Sequence, residues 1–212
     1  MATQTGLRER KKQLTRRLIF DAAQRLFGER GFDRVSVAEI ARAADVSEVT
    51  VFNYFPTKED LFYSGMEFFE ERLIESVRSR RAGESAIRAF RRGLLAGADR
   101  LMLKESADAI LAADRVVLAS PSLVAREREV VERYTARLAE LLAEETGTRA
   151  DDLEPASAAG ALMATHRALV ALVRRRVLAG QRGQHLAGEY RTQVRRGFAL
   201  LERGLAGYAV KA

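Results

Sequence analysis

SVAEIARAADVSEVTVFNYF, residues 36–55, carries the signals from which the rest of the chain can be read. Ser36 and Glu39 stand three apart at the head of an apolar-periodic run, the spacing of a capping box. The serine hydroxyl accepts from the backbone N–H of residue 39, and the glutamate reaches back to the amide of Ser36. Val35 and Ile40 fall at the two positions of a hydrophobic staple. Ile40, Ala41 and Ala44 give one apolar face, and Asp45, a residue type that tolerates left-handed backbone, follows where the chain must turn. Ser47 caps a second helix running through Tyr54 and Phe55, and Pro56 blocks its continuation. Two helices joined by so short a turn must cross. The pattern is a helix-turn-helix, a unit whose second helix enters the major groove of DNA.

The chain has 212 residues, 47% of them apolar, enough for a buried core. No apolar run approaches the roughly 20 residues of a membrane span, and the polar N-terminus is unlike a signal peptide, so a soluble intracellular protein is expected. With no cysteine and only His166 and His185, thiolate and histidine-rich metal chemistry are excluded. The net charge is +7, and residues 1–17 hold six cations (Arg8, Arg10, Lys11, Lys12, Arg16 and Arg17) against Glu9, or +5 of that total. This is either a solubilising tail or, beside a DNA-reading unit, an arm that tracks phosphates or dips into the minor groove.

Apolar residues recur three and four apart almost everywhere, which predicts an all-α chain of about nine helices. The first runs from about Arg10 to Arg30 and is stopped by Gly31, with Leu14, Leu18, Ala22 and Leu26 on one stripe widened by Ile19, Ala23 and Phe27. After the helix-turn-helix (36–55), Thr57 caps a connecting helix over 58–81. The domains expected are 1–57, basic arm and DNA reader, and 84–212, a second helical region. The latter divides at Ser120-Pro121, Gly147 and the loop before Pro155 into helices over about 84–103, 106–118, 121–145, from 155, and 185–208. In the last two, Leu162, Leu169 and Leu172, and Tyr190, Val194, Phe198, Leu201, Leu205 and Tyr208 form apolar stripes. Ala161, Ala164, Ala168 and Ala171 make a second, small-residue face. The two helices are either plain core or a four-helix interface between copies, in which the alanines permit close approach.

From Ile19 to Phe62, the elements AAxxLFxExGFDxVSVAEIAxAADVSEVTVFNYFPTKEDLF resemble the DNA-binding domain of the tetracycline-repressor (TetR) family of bacterial regulators. Phe27 and Phe32 around Gly31, the IAxAAxVS turn and YFPTKEDL occur in order at the family's spacing. The resemblance covers about the first third of the chain. It implies a cytoplasmic, non-enzymatic, sequence-specific regulator, by family default a ligand-responsive repressor. Three helices would form the N-terminal DNA-binding domain and six a C-terminal ligand-binding and dimerisation domain. The implied partners are an operator duplex, a second copy joined through helices 8 and 9 (162–205 stripes), and a small apolar or aromatic effector. No membrane partner and no cofactor are implied.

Carried over by position, Ser36 and Val37 approach a phosphate, Val37 lacking the hydroxyl common there, and Ala38 offers only a methyl. Ser47, Glu48, Val49, Thr50 and Asn53 line the recognition helix: Asn53 suits adenine, Glu48 a cytosine amino group, Val49 or Thr50 a thymine methyl. Glu48 is equally well placed as a first-turn partner of the helix dipole. Tyr54 and Lys58 point to phosphate, with Arg10, Lys11 and Lys12 from the arm. Phe52 replaces the usual tyrosine and reads as core, like Val51 and Phe55. Met66, Phe69, Phe90 and Met102 are candidate effector-cavity residues, with Asp114 and His166 as polar members, although such stripes equally make ordinary core. Arg174–Arg176 reads as a solvated helix end.

Two other readings compete. A small helical enzyme lacks support, because no nucleophile elbow, glycine-rich phosphate loop or metal-spaced cluster is present. A helical adaptor that binds a protein or an anionic membrane through the basic arm would leave the capping and turn chemistry of residues 36–58 without purpose.

Overall fold

The computed structural model describes residues 2–205, except the side chains of 2–5, 7, 66–68, 104 and 205. All its regular elements are helical: α1 (Ala2–Arg30), α2 (Val37–Ala43), α3 (Glu48–Tyr54), α4 (Lys58–Arg78), α5 (Ala86–Gly97) with a 3-10 turn (Ala98–Met102), α6 (Lys104–Leu118), α7 (Pro121–Thr146), α8 (Leu153–Leu178) and α9 (Gly183–Leu205). They form two compact units, Met1–Glu67 with Arg115–Glu127, and Phe68–Asp114 with Arg128–Ala212. The segment 115–127, which the sequence assigns to the C-terminal region, thus belongs to the first unit.

Local chemistry sets the ends in the first unit. Gly31, at φ 79°, closes α1 in the left-handed region, and its N–H donates to the Phe27 carbonyl. Asp45 does the same for α2 at φ 54°: its N–H donates to Arg42 and that of Val46 to Ala41, the paired bonds of a Schellman motif. Thr57 and Asp60 cap α4 reciprocally, at 3.0 and 3.2 Å. The core gathers Ile19, Ala23, Phe27, Phe32, Ile40, Val51, Phe55, Leu61 and Phe62, with Val117 and Leu123 from the second segment. Phe27, Phe32 and Phe62 pack at tilted or edge-on angles, centroids 5.0 to 6.0 Å apart. The buried Tyr63 hydroxyl donates to the Leu123 carbonyl (2.8 Å), Ser120 to the Asp33 carboxylate (2.8 Å), and Arg126 to Asp60.

Helix α1 differs from its expected form at both ends of the argument. It is helical from Ala2, so the basic segment is no extended arm, and Leu14 (59% exposed) and Leu18 (49%) lie outside the core. Residues four apart are turned by about 40°, so a run at strict i+4 spacing drifts off its face, and Leu14 stands about 120° from Leu26.

In the second unit, Leu73, Val77, Ile87, Phe90, Leu94, Leu138, Leu142, Leu162, Leu169, Val173, Tyr190, Val194 and Phe198 share one core. Phe90 stacks on Phe198 at 6.1 Å. The fully buried Arg80 side chain donates to Glu145 and to the Val77 carbonyl, tying the end of α4 to the end of α7. Helices α8 and α9 approach closely where Gly197 faces the Thr165 methyl; an added Cβ would lie 3.3 Å from it. Contrary to expectation, α8 is long and apolar enough to cross a membrane, with mean hydropathy 1.4 over its most apolar 18 residues. The expectation rested on unbroken apolar runs, whereas in α8 alanines carry the hydropathy across Thr165 and His166. Leu162, Met163, Leu169 and Val173 of this helix lie in the core of the unit.

Candidate DNA-recognition surface

The reader is held by caps that also fix its exposed groups. Ser36 accepts from the Glu39 N–H (3.2 Å), and its own amide and hydroxyl both donate to Glu39 Oε2 at 2.9 Å, while Arg30 holds Oε1 at 2.7 Å. The Ser36 amide, then the Arg30 guanidinium and the Ser36 hydroxyl, bring the Glu39 carboxyl down to about 2. On α3, Ser47 accepts from the Thr50 N–H (3.1 Å), and the two hydroxyls are 2.8 Å apart. Val51 and Phe55 point inward, and Glu48, Val49 (69% exposed), Phe52 (47%) and Asn53 stand out to solvent. One short helix face thereby offers a carboxylate, a branched methyl pair, an aromatic ring and an amide. An amide forks to adenine, a carboxylate accepts from the cytosine amino group, and apolar groups meet the thymine methyl.

Ser36 and Ser47 are exposed, and Val37, Ala38, Thr50 and Tyr54 half-buried, Tyr54 resting on the core. Arg10, Lys11 and Lys12 are exposed on α1. Two residues differ from expectation. Phe52 is solvent-exposed, because Val51 and Phe55 already use the inward face and Phe52 is turned about 100° from Val51; that spacing was the available signal. Lys58 turns inward: its Nζ donates to the Phe32 (3.1 Å) and Val35 (3.0 Å) carbonyls and lies 4.2 Å from the Phe32 ring centroid. It fastens the loop between α1 and α2, a partnership across 23 residues that no local pattern reveals.

Of the candidate effector residues, the structure brings together Phe69 and His166, ring centroids 5.8 Å apart. His166 is buried, its Nδ1 has no hydrogen-bond partner, and burial lowers its imidazole to about 4, leaving it neutral near pH 7. Phe90 is core, Met102 is exposed beside Arg191, and Asp114 is buried and ion-paired with Arg174 at 3.3 Å. Arg174 is therefore no solvated end, and Arg176 pairs with Glu189. The Met66 side chain lies outside the described residues. Among the candidate interface residues, Leu162, Leu169, Tyr190, Val194 and Phe198 are buried in the chain's own core, with Leu172 and Leu201 partly so; the Leu205 side chain and Tyr208 lie outside the described residues. The stripes named for the interface face inward, and the opposite face of α8 exposes Ala164 and Ala168 between the half-buried Ala161 and Ala171.

Residues 19–64 match the family described as bacterial regulatory proteins of the tetR family, and residues 84–206 match the MftR C-terminal domain. The chain belongs to the TetR family. As a TetR-family member it is a DNA-binding transcriptional regulator. It is 30% identical over 156 residues to the transcriptional regulator TcmR of Streptomyces glaucescens, spanning 69% of this chain and 67% of that protein. Its fold is that of NalD, the secondary repressor of the MexAB-OprM multidrug efflux pump in Pseudomonas aeruginosa (TM-score 0.55, 22% identity, 87% of this chain and 97% of that one). The SmeT–triclosan complex shares it too (TM-score 0.55, 18% identity, 90% and 91%).

Proposed function

We propose that this TetR-family regulator is a cytoplasmic repressor that binds a palindromic operator as a homodimer and releases it on binding an apolar or aromatic small molecule. The observation that carries the reading is the exposed face of α3, with Glu48, Val49, Phe52 and Asn53 set on a helix capped at its start and anchored by Val51 and Phe55. Ser36 and Tyr54 sit beside it for phosphate contact. NalD, described as a repressor, and SmeT, solved with triclosan, support repression and ligand response by fold alone. Two copies would meet through the small-residue face of α8, Ala161, Ala164, Ala168 and Ala171, with the outer side of α9; alanine lets helix axes approach closely. Phe69 and the neutral, unpaired His166 are the effector-facing pair of this reading. The protein acts by binding rather than catalysis and needs no membrane.

The test is selection of bound sequences from a random duplex pool at near-physiological salt, which holds down the nonspecific phosphate contribution. A palindrome should be enriched, and lost with Asn53→Ala plus Glu48→Ala. Ala168→Arg should leave the fold intact, halve the mass seen by sedimentation and abolish the palindrome. Binding that only decays with salt, with no enriched sequence, would sink the reading.

A further inference from the structure

Helix α1 reaches well past the unit it belongs to. Its core residues begin at Ile19, so the stretch from Ala2 to Leu18 projects about 25 Å at 1.5 Å per residue. Positions 8, 12, 16, 19, 23 and 26 follow one face of this continuous helix. Ile19, Ala23 and Leu26 are buried in the reader, whereas Arg8, Lys12 and Arg16 are exposed. The face that packs the reader thus turns cationic where the reader ends. The Arg16 guanidinium lies 4.9 Å from the centroid of the Phe55 ring, at the residue that closes the recognition helix, so the cationic line starts beside the C-terminal end of α3.

We propose that the first four turns of α1 form a phosphate-tracking helix, laid against the duplex flanking the half-site, with Arg8, Lys12 and Arg16 as its contacts. The inference rests on the DNA-binding reading and extends it to the flanks. Charge complementarity names the occupant: successive cations advance about 6 Å, and one strand presents a phosphate every ~3.4 Å of helix axis. Each cation therefore reaches about every second phosphate. The helix lies on the backbone and not in the minor groove, because a helix with side chains is about 10–12 Å across and that groove about 6 Å wide. Each subunit's footprint lengthens by up to about 7 base pairs, without added base recognition.

The experiment compares Arg8→Ala/Lys12→Ala with Arg88→Ala/Arg149→Ala, which removes the same charge at exposed positions of the second unit. Salt dependence of binding by the full chain is measured on a random-sequence duplex of about 40 base pairs and on any selected operator. The first pair should lower the slope of log K against log salt by about 1.8 per bound subunit, hence about 3.6 for the dimer, on both duplexes, at 0.9 per phosphate, and should shorten the footprint at its flanks. The second pair should leave slope and footprint near wild type. Equal effects of the two pairs, or none from the first, would overturn the inference. Failure to find any operator would count against the regulator reading instead, while the random duplex would still decide the role of the helix.

Discussion

Asp45 is the one described non-glycine residue with positive φ, at 54°, and it holds the turn of the helix-turn-helix. Left-handed backbone costs a residue with a Cβ roughly 1–2 kcal/mol, while glycine adds about 0.5–1 kcal/mol of unfolded-state freedom. Asp45→Gly should therefore shift stability by no more than about 1 kcal/mol. Asp45→Val, β-branched and without a local acceptor, should lose about 1–2 kcal/mol in denaturant titration; equal midpoints for the two variants would refute the strain argument. His166 gives a pH-dependent counterpart. Its imidazole titrates at about 4 when folded and near 6.5 when unfolded. The unfolded chain takes up the proton first, so stability falls as pH drops from about 6.5 to 4, by as much as ~3 kcal/mol at 1.36 kcal/mol per pKa unit. His166→Leu should flatten that decline and raise Tm at pH 7, because it also removes a buried nitrogen with no partner. A decline as steep in the variant as in the wild type would show that other groups carry it.

At the scale of the element, α3 divides its residues between stability and recognition. Phe55→Ala should cost about 3–5 kcal/mol of stability, as deletion of a buried ring does. Phe52→Ala, three residues earlier, should stay within about 0.5 kcal/mol of wild type and weaken operator binding. If Phe52→Ala instead unfolds the reader in a thermal melt, the ring is structural. The helix ends were legible in the sequence because each rests on residues three or four apart: Ser36 with Glu39, Ser47 with Thr50, Thr57 with Asp60. Faces of long helices were less legible. Leu14 and Leu18 keep the spacing of a stripe and drift out of the core, and the Leu162 and Tyr190 stripes are apolar in a way that suits a neighbour in the same chain or in another. Periodicity shows that a face is buried and is silent about what buries it. Lys58 marks the same limit for a charged group: its partners, the carbonyls of Phe32 and Val35, come from a loop more than twenty residues away, and a surface lysine near DNA has the same sequence signature.

At the scale of the molecule, the family match at residues 19–64 stops short of what the reader needs. Its compact unit also takes in 115–127, which supplies the fully buried Leu123 and the buried Val117 to the core. The Tyr63 hydroxyl finds its acceptor on Leu123, and Asp33 its donor on Ser120. Without that segment the reader loses two buried aliphatic side chains, about 1.5–3 kcal/mol each, and the Tyr63–Leu123 hydrogen bond, about 0.5–1.5 kcal/mol. The sum, roughly 4–8 kcal/mol, is comparable to the whole stability of a typical domain at about 5–15 kcal/mol. A fragment of residues 1–67 should accordingly show little cooperative melting by circular dichroism. In the full chain, Leu123→Ala should cost about 2–5 kcal/mol and Tyr63→Phe about 1 kcal/mol. Fusing 115–127 to the fragment through a flexible linker should restore a cooperative melt, since it returns the same contacts at the cost of closing one loop. A fragment that melts at the temperature of the intact chain would show that the three N-terminal helices and the start of α4 suffice, and that 115–127 only rests on a reader already complete.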